Sequence, residues 1–102
     1  MAQANPVEKW ECKDRFDYDG WKSILVTATV NSDREHGTIA VSGATHDATF
    51  QVAGFNRRWN FGRKGDAYLY AFVIEPNGDA AYYDFSMESR TKASILMKCR
   101  QR

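Results

Sequence analysis

Residues 67–86 of this 102-residue chain read AYLYAFVIEPNGDAAYYDFS, and this stretch decides the fold. Over residues 67–75 large side chains alternate between two faces, which is typical of a β-strand. Pro76-Asn77-Gly78-Asp79 is a strong turn signal, because proline presets φ and glycine accepts positive φ. The chain alternates again over residues 80–86. The stretch therefore predicts a β-hairpin.

The same period-two alternation recurs along the chain, and no segment keeps an apolar period of 3.6 residues over three turns. Six further strands are predicted, at residues 9–16, 22–30, 38–42, 48–53, 57–61 and 92–100, and a short helix near residues 87–93 is the local alternative. In an eight-strand meander the first and last strands become neighbours when the sheet closes, which removes exposed edges. The sequence therefore predicts an all-β protein, a small antiparallel β-barrel of about eight strands, with a two-sheet β-sandwich as the alternative.

The chain has two cysteines, Cys12 and Cys99, in the first and last predicted strands. Both lie on apolar faces, so closure of the barrel would bring them together and allow a disulfide. Such a bond is typical of an oxidising compartment. The alternative is a cytosolic protein in which both thiols are free.

The N-terminus gives weak evidence for export. Ala2-Gln3-Ala4 matches the small-x-small pattern that precedes a signal-peptidase cut. We therefore expect residues 1–8 to be a flexible tail left from a signal region and residues 9–102 to be one disulfide-braced domain, periplasmic or secreted. No apolar run approaches the roughly 20 residues that span a bilayer, so no membrane span is predicted.

Charge and motifs favour a binding protein over an enzyme. The net charge is +1, with acidic side chains in excess in the first half and basic ones in the second, which is too diffuse for a duplex DNA binder. His36 and His46 lack a second ligand at metal-site spacing. Asp17-x-Asp19-Gly20 lacks the remaining ligands of a calcium loop. We expect no catalytic residues, no metal and no cofactor.

Residues 57–64 are the densest mixture of basic and aromatic side chains, and such mixtures can bind phosphates and stack bases. If Trp59 and Phe61 face the core, few cations remain outside, so nucleic-acid or polyanion binding is an alternative function and not the leading one. Its candidate residues are Arg57, Arg58, Arg63 and Lys64.

The tyrosines suggest another alternative, a carrier of a small apolar ligand. Rings with polar tips could line the mouth of a barrel, although aromatic side chains usually fill small barrels instead. The residues concerned are Tyr68, Tyr70, Tyr82 and Tyr83.

Three short motifs, Ser42-Gly43, Lys64-Gly65-Asp66-Ala67 and Lys98-Cys99-Arg100, make the chain resemble the bacterial periplasmic inhibitors of C-type lysozymes. Those proteins are small exported β-barrels with a disulfide between the N-terminal region and the C-terminal strand. The resemblance implies a protein partner, a lysozyme-like cell-wall hydrolase.

The resemblance also implies a binding site made of two loops. In the family a Ser-Gly loop enters the lysozyme cleft, which would place Ser42 and Gly43 at the catalytic carboxylates. His46 stands where the family has tyrosine or phenylalanine. The second inhibitory loop would correspond to Lys64-Gly65-Asp66-Ala67, so Arg63, Lys64 and Asp66 are expected to form a second contact.

Overall fold

The computed structural model describes residues 6–18, 20–86 and 95–102, and within them it contains strands and no helix. The strands are β1 (Pro6–Asp14), β2 (Val26–Asn31), β3 (His36–Val41), β4 (Ala44–Ala53), β5 (Asn56–Lys64), β6 (Ala67–Ile74), β7 (Asp79–Asp84) and β8 (Ile95–Gln101). None of the described residues belongs to a helix long and apolar enough to cross a bilayer.

Each strand pairs antiparallel with the next, and β8 pairs with β1, so the sheet closes into a barrel in simple meander order. The prediction of an all-β, eight-stranded antiparallel barrel is confirmed, and the sandwich alternative is wrong. Closure satisfies the backbone groups that edge strands would otherwise expose.

A disulfide joins the two strands that close the barrel. Cys12 and Cys99 face each other in the β1–β8 register, and the bond links their buried side chains. The predicted pairing is confirmed. It is compatible with an oxidising extracellular compartment.

Aromatic side chains fill the barrel. Trp59, Phe61 and Phe72 are fully buried inside it. The Trp59 indole Nε1 donates a 2.8 Å hydrogen bond to the Thr29 carbonyl oxygen, which ties β5 to β2. The close contact of β3 with β2 at this point requires glycine at position 37, because a Cβ there would lie 1.9 Å from the Thr29 carbonyl oxygen.

A buried carboxylate lies inside the wall near the start of β1. Arg57 donates to Glu8 at 2.7 and 3.2 Å, and the Trp10 indole donates to Glu8 at 3.0 Å. Arg34 adds a 3.3 Å ion pair, and the Arg57 guanidinium lies over the Trp10 ring. Burial alone would raise the pKa of Glu8, but the hydrogen bonds from Arg57 and Trp10 bring that pKa below its ordinary value.

The meander gives the barrel two distinct ends, because successive connections alternate between them. The connections that follow β1, β3 and β5 span residues 15–25, 42–43 and 65–66, and together with residues 85–86 after β7 they form what we call the odd-loop end. The even-loop end carries residues 32–35, 54–55 and 75–78.

Several predicted boundaries are corrected. β1 begins at Pro6, so residues 6–8 of the predicted tail belong to a strand whose inward face carries Glu8. β2 begins at Val26 and not at residue 22. Phe16, the last residue of the predicted first strand, lies beyond the end of β1 and is exposed. The short helix considered near residues 87–93 falls outside the described residues.

Candidate functional site

Ser42 and Gly43 form the whole connection between β3 and β4. Val41 pairs with Ala44, so the loop has two residues, and both have positive φ, 52° at Ser42 and 79° at Gly43. This is the backbone of a type I′ turn, which matches the twist of the flanking strands. A non-glycine residue in this region costs roughly 1–2 kcal/mol. The turn therefore holds an exposed serine in a fixed, strained conformation.

The predicted five-residue loop at residues 43–47 is wrong, and His46 lies in β4. Its side chain is exposed, and its ring centroid is 5.5 Å from that of Phe61 on β5. His46 thus packs on the aromatic core near the odd-loop end and does not sit in the turn itself.

Gly65 and Asp66 connect β5 to β6. Lys64 pairs with Ala67, and Gly65 has a φ of 61° at the first central position, as a type II′ turn requires. The Arg63 Nε donates a 2.8 Å hydrogen bond to the Gly65 carbonyl oxygen, and an exposed Arg63–Asp66 ion pair spans 3.8 Å. The turn is therefore braced by its own side chains.

Gly62 does not end β5, although the sequence predicted a loop over residues 62–66. The residue has a φ of 69° within the strand, and a Cβ there would lie 2.4 Å from the Tyr70 ring. Tyr70 covers the glycine and stacks on Phe61 at 5.3 Å. The glycine is a place of close approach, so β5 continues to Lys64.

The two turns predicted to bind a partner lie at the same end of the barrel, the odd-loop end. Among the described residues, neither the Ser42 hydroxyl nor the Lys64 ammonium has a hydrogen-bond or ion-pair partner, and both side chains are exposed. Both groups can therefore donate hydrogen bonds to a partner without breaking a contact within the barrel.

The four cations of the polyanion alternative are not brought together. Arg57 is at the start of β5 and binds Glu8, whereas Arg63 and Lys64 are at its other end. At about 3.3 Å per residue, the strand separates Arg57 from Arg63 by roughly 20 Å. The Arg58 guanidinium donates to the Asn60 side chain instead.

The tyrosines are divided between the two faces of the wall. Tyr70 and Tyr82 pack against the core, and burial raises the pKa of Tyr82. Tyr83 stacks with Phe85 at 5.9 Å and belongs to the other face of β7. The space beside Tyr70 and Tyr82 is occupied by Phe61 and Phe72.

The sequence did not identify the apolar surface beside the Ser42 turn. A shallow groove there is lined by Ile24, Leu25, Thr27, Ala40, Val41, Ser42 and Gly43. Residues 24 and 25 read as part of an ordinary strand, and only the β2–β3 register places them next to the turn. Within the described part of the chain, no group of three or more His, Cys, Asp or Glu side chains could hold a metal ion.

Comparison of the chain with models of protein families, with curated proteins and with solved structures finds no match.

Proposed function

We propose that this protein is an exported inhibitor that binds a lysozyme-like cell-wall hydrolase through the odd-loop end of its barrel. The observation that carries the proposal is the placement of the Ser42–Gly43 and Gly65–Asp66 turns at that one end, both exposed and both fixed by their backbone geometry.

The chemistry of the target fits these two turns. Glycoside hydrolases commonly act through a pair of carboxyl groups on either side of the scissile bond. A serine hydroxyl can donate a hydrogen bond to a carboxylate, and a lysine ammonium can pair with one. Ser42 and Lys64 have no partner among the described residues, so they supply these donors.

The rigidity of the barrel favours tight binding. A loop that is ordered before association loses less conformational entropy on binding than a flexible one. Here the disulfide closes the wall, the two turns contain only two residues each, and Arg63 braces the second turn. Little of the interaction energy is then spent on ordering the inhibitor.

The test is the turnover of a C-type lysozyme on cell-wall substrate with increasing inhibitor. Wild-type protein is expected to slow turnover at micromolar excess or below, and unchanged rates would refute the proposal. Lys64→Ala is expected to weaken inhibition on the order of 30-fold, the usual result of removing one partner of a buried charge pair. Lys9→Ala is the matched control, because Lys9 is exposed on β1, nearer the even-loop end.

Ser42→Gly tests the contribution of the hydroxyl separately from that of the turn backbone. Glycine accepts the φ of 52° without strain, so the variant keeps the turn and removes only the side chain. Inhibition is expected to weaken about tenfold, in line with the loss of a hydrogen bond to a charged group. Equal inhibition by Ser42→Gly and wild type would remove Ser42 from the proposed contact.

A further inference from the structure

Exposed apolar side chains are concentrated at one end of this barrel. The described residues include nine large apolar side chains that are exposed. Six of them belong to the odd-loop end, namely Phe16, Tyr18, Leu25, Phe85, Ile95 and Leu96, and three belong to the even-loop end, namely Val7, Val52 and Phe55. Contiguous exposed apolar surface commonly marks an interaction site.

The segment that carries Phe16 and Tyr18 is ordered by its own hydrogen bonds. The Asp14 carboxylate accepts from the Phe16 amide at 2.8 Å, and the Lys13 ammonium donates to the Asp17 carbonyl oxygen at 2.9 Å. The Arg15 amide donates to the Leu96 carbonyl oxygen of β8 at 3.2 Å. The segment is thus held against the barrel, yet Phe16 is 67% and Tyr18 86% exposed.

One of these exposed apolar side chains, Leu25, lies beside the Ser42 turn. Leu25 is held by a 2.8 Å hydrogen bond from its amide to the Cys12 carbonyl oxygen, and it lines the groove that also contains Ser42 and Gly43. The connection between β1 and β2 therefore carries Phe16 and Tyr18 near its start and ends beside the Ser42 turn.

We infer that Phe16, Tyr18 and Leu25 form a second contact surface for the same protein partner that the Ser42 turn binds. This inference rests on the proposed function. The partner is expected to present an apolar surface beside its substrate cleft, in contact with the two aromatic rings and the groove. Aromatic anchors next to polar contacts are typical of the residues that dominate binding energy in protein interfaces.

The polar turns and the apolar surface have different roles in this arrangement. Ser42 and Lys64 meet the charged groups of the cleft, and the aromatic side chains exclude water around that contact. Hydrolases that share the catalytic carboxylates but lack the apolar surface would bind more weakly, so Phe16, Tyr18 and Leu25 determine specificity.

The test is the dissociation constant for an immobilised C-type lysozyme, measured for wild type and three variants. Phe16→Ala/Tyr18→Ala is expected to bind on the order of tenfold or more weakly, mainly through faster dissociation. Leu25→Ser is expected to bind several-fold more weakly. Phe55→Ala is the matched control, because Phe55 is 86% exposed at the opposite end, and it should stay within about twofold of wild type.

The outcomes separate the two proposals. If wild type binds and inhibits while Phe16→Ala/Tyr18→Ala binds equally well, this inference fails and the proposed function stands. The inference also fails if Phe55→Ala loses as much affinity, since the effect then reflects general hydrophobicity. If wild type neither binds nor inhibits, both proposals fail. Thermal unfolding checks the fold, and because these side chains are exposed, all three variants should melt near the wild-type temperature.

Discussion

Removing the disulfide is expected to cost this barrel a large share of its stability. The bond joins residues 87 positions apart in sequence, Cys12 and Cys99, and both side chains are buried. Closing a loop of this length restricts the unfolded chain, and the loop-entropy relation gives about 4.5 kcal/mol at 25 °C. A domain of this size has a total unfolding free energy of roughly 5–15 kcal/mol.

The perturbation is Cys12→Ala/Cys99→Ala, since alanine leaves no polar group in the wall. Urea unfolding should show the free energy of unfolding reduced by about 4 kcal/mol, with a melting temperature lower by roughly 20 °C. The dependence of that free energy on urea should also steepen, because an unfolded chain without the cross-link exposes more surface.

Wild-type protein under reducing conditions is the internal control. It should approach the stability of the double variant, while the variant itself should not respond to reductant. A loss below about 1 kcal/mol would refute the reasoning, because the pairing of β1 with β8 would then close the barrel without help from the covalent bond.

Three further predictions concern the core. Glu8→Gln leaves Arg57 without its carboxylate, and we expect a loss of about 2 kcal/mol, below the range for fully buried pairs because Arg57 is partly exposed. Because folding lowers the pKa of Glu8 from 4.5, the ion pair stabilises fully above that pH and its contribution is lost as pH falls through the folded value. Urea unfolding between pH 3 and 7 should therefore show a flatter profile for the variant, and parallel profiles would contradict the assignment. Gly37→Ala places a Cβ 1.9 Å from the Thr29 carbonyl oxygen, so it should destabilise by about 2 kcal/mol or more in urea, and a neutral result would show that β2 and β3 can separate at no cost. Trp59→Phe removes the indole donor to that oxygen and should cost about 1–3 kcal/mol in the same assay, whereas unchanged stability would mean that the hydrogen bond contributes nothing net.

The fold was predictable because its signals are local or lie at the two ends of the chain. Alternation over residues 67–75 and the turn at Pro76-Asn77-Gly78 specify a hairpin by themselves. Cys12 and Cys99 then indicate which strands close the barrel. These features do not depend on the packing of any third segment.

Turn lengths were less predictable. Type I′ turns favour Asn-Gly or Asp-Gly, so Ser42 was predicted to end a strand and Gly43 to begin a longer loop. Gly62 read as a break in the strand, because its role depends on Tyr70, which approaches it from the neighbouring strand. At Gly62 the sequence shows the residue, but the contact that explains it comes from the neighbouring strand.

The placement of the two turns at one end was predictable. The resemblance gave Ser42 and Lys64 as candidates, and in a meander two strands between their turns are enough to place both at one end. The apolar surface of Phe16, Tyr18 and Leu25 could not be read in this way, since an exposed aromatic residue and a buried one have the same letter in a sequence. What covers each ring is a property of the whole barrel.

The left-handed backbone of Ser42 has an evolutionary consequence. Glycine or asparagine would adopt this conformation with less strain, so random drift at position 42 should move away from serine toward those residues. Relatives that keep serine here while other surface positions change would record natural selection for the hydroxyl group. A lineage that has lost the proposed inhibitory contact should show the reverse, with glycine or asparagine at position 42 and a more stable barrel.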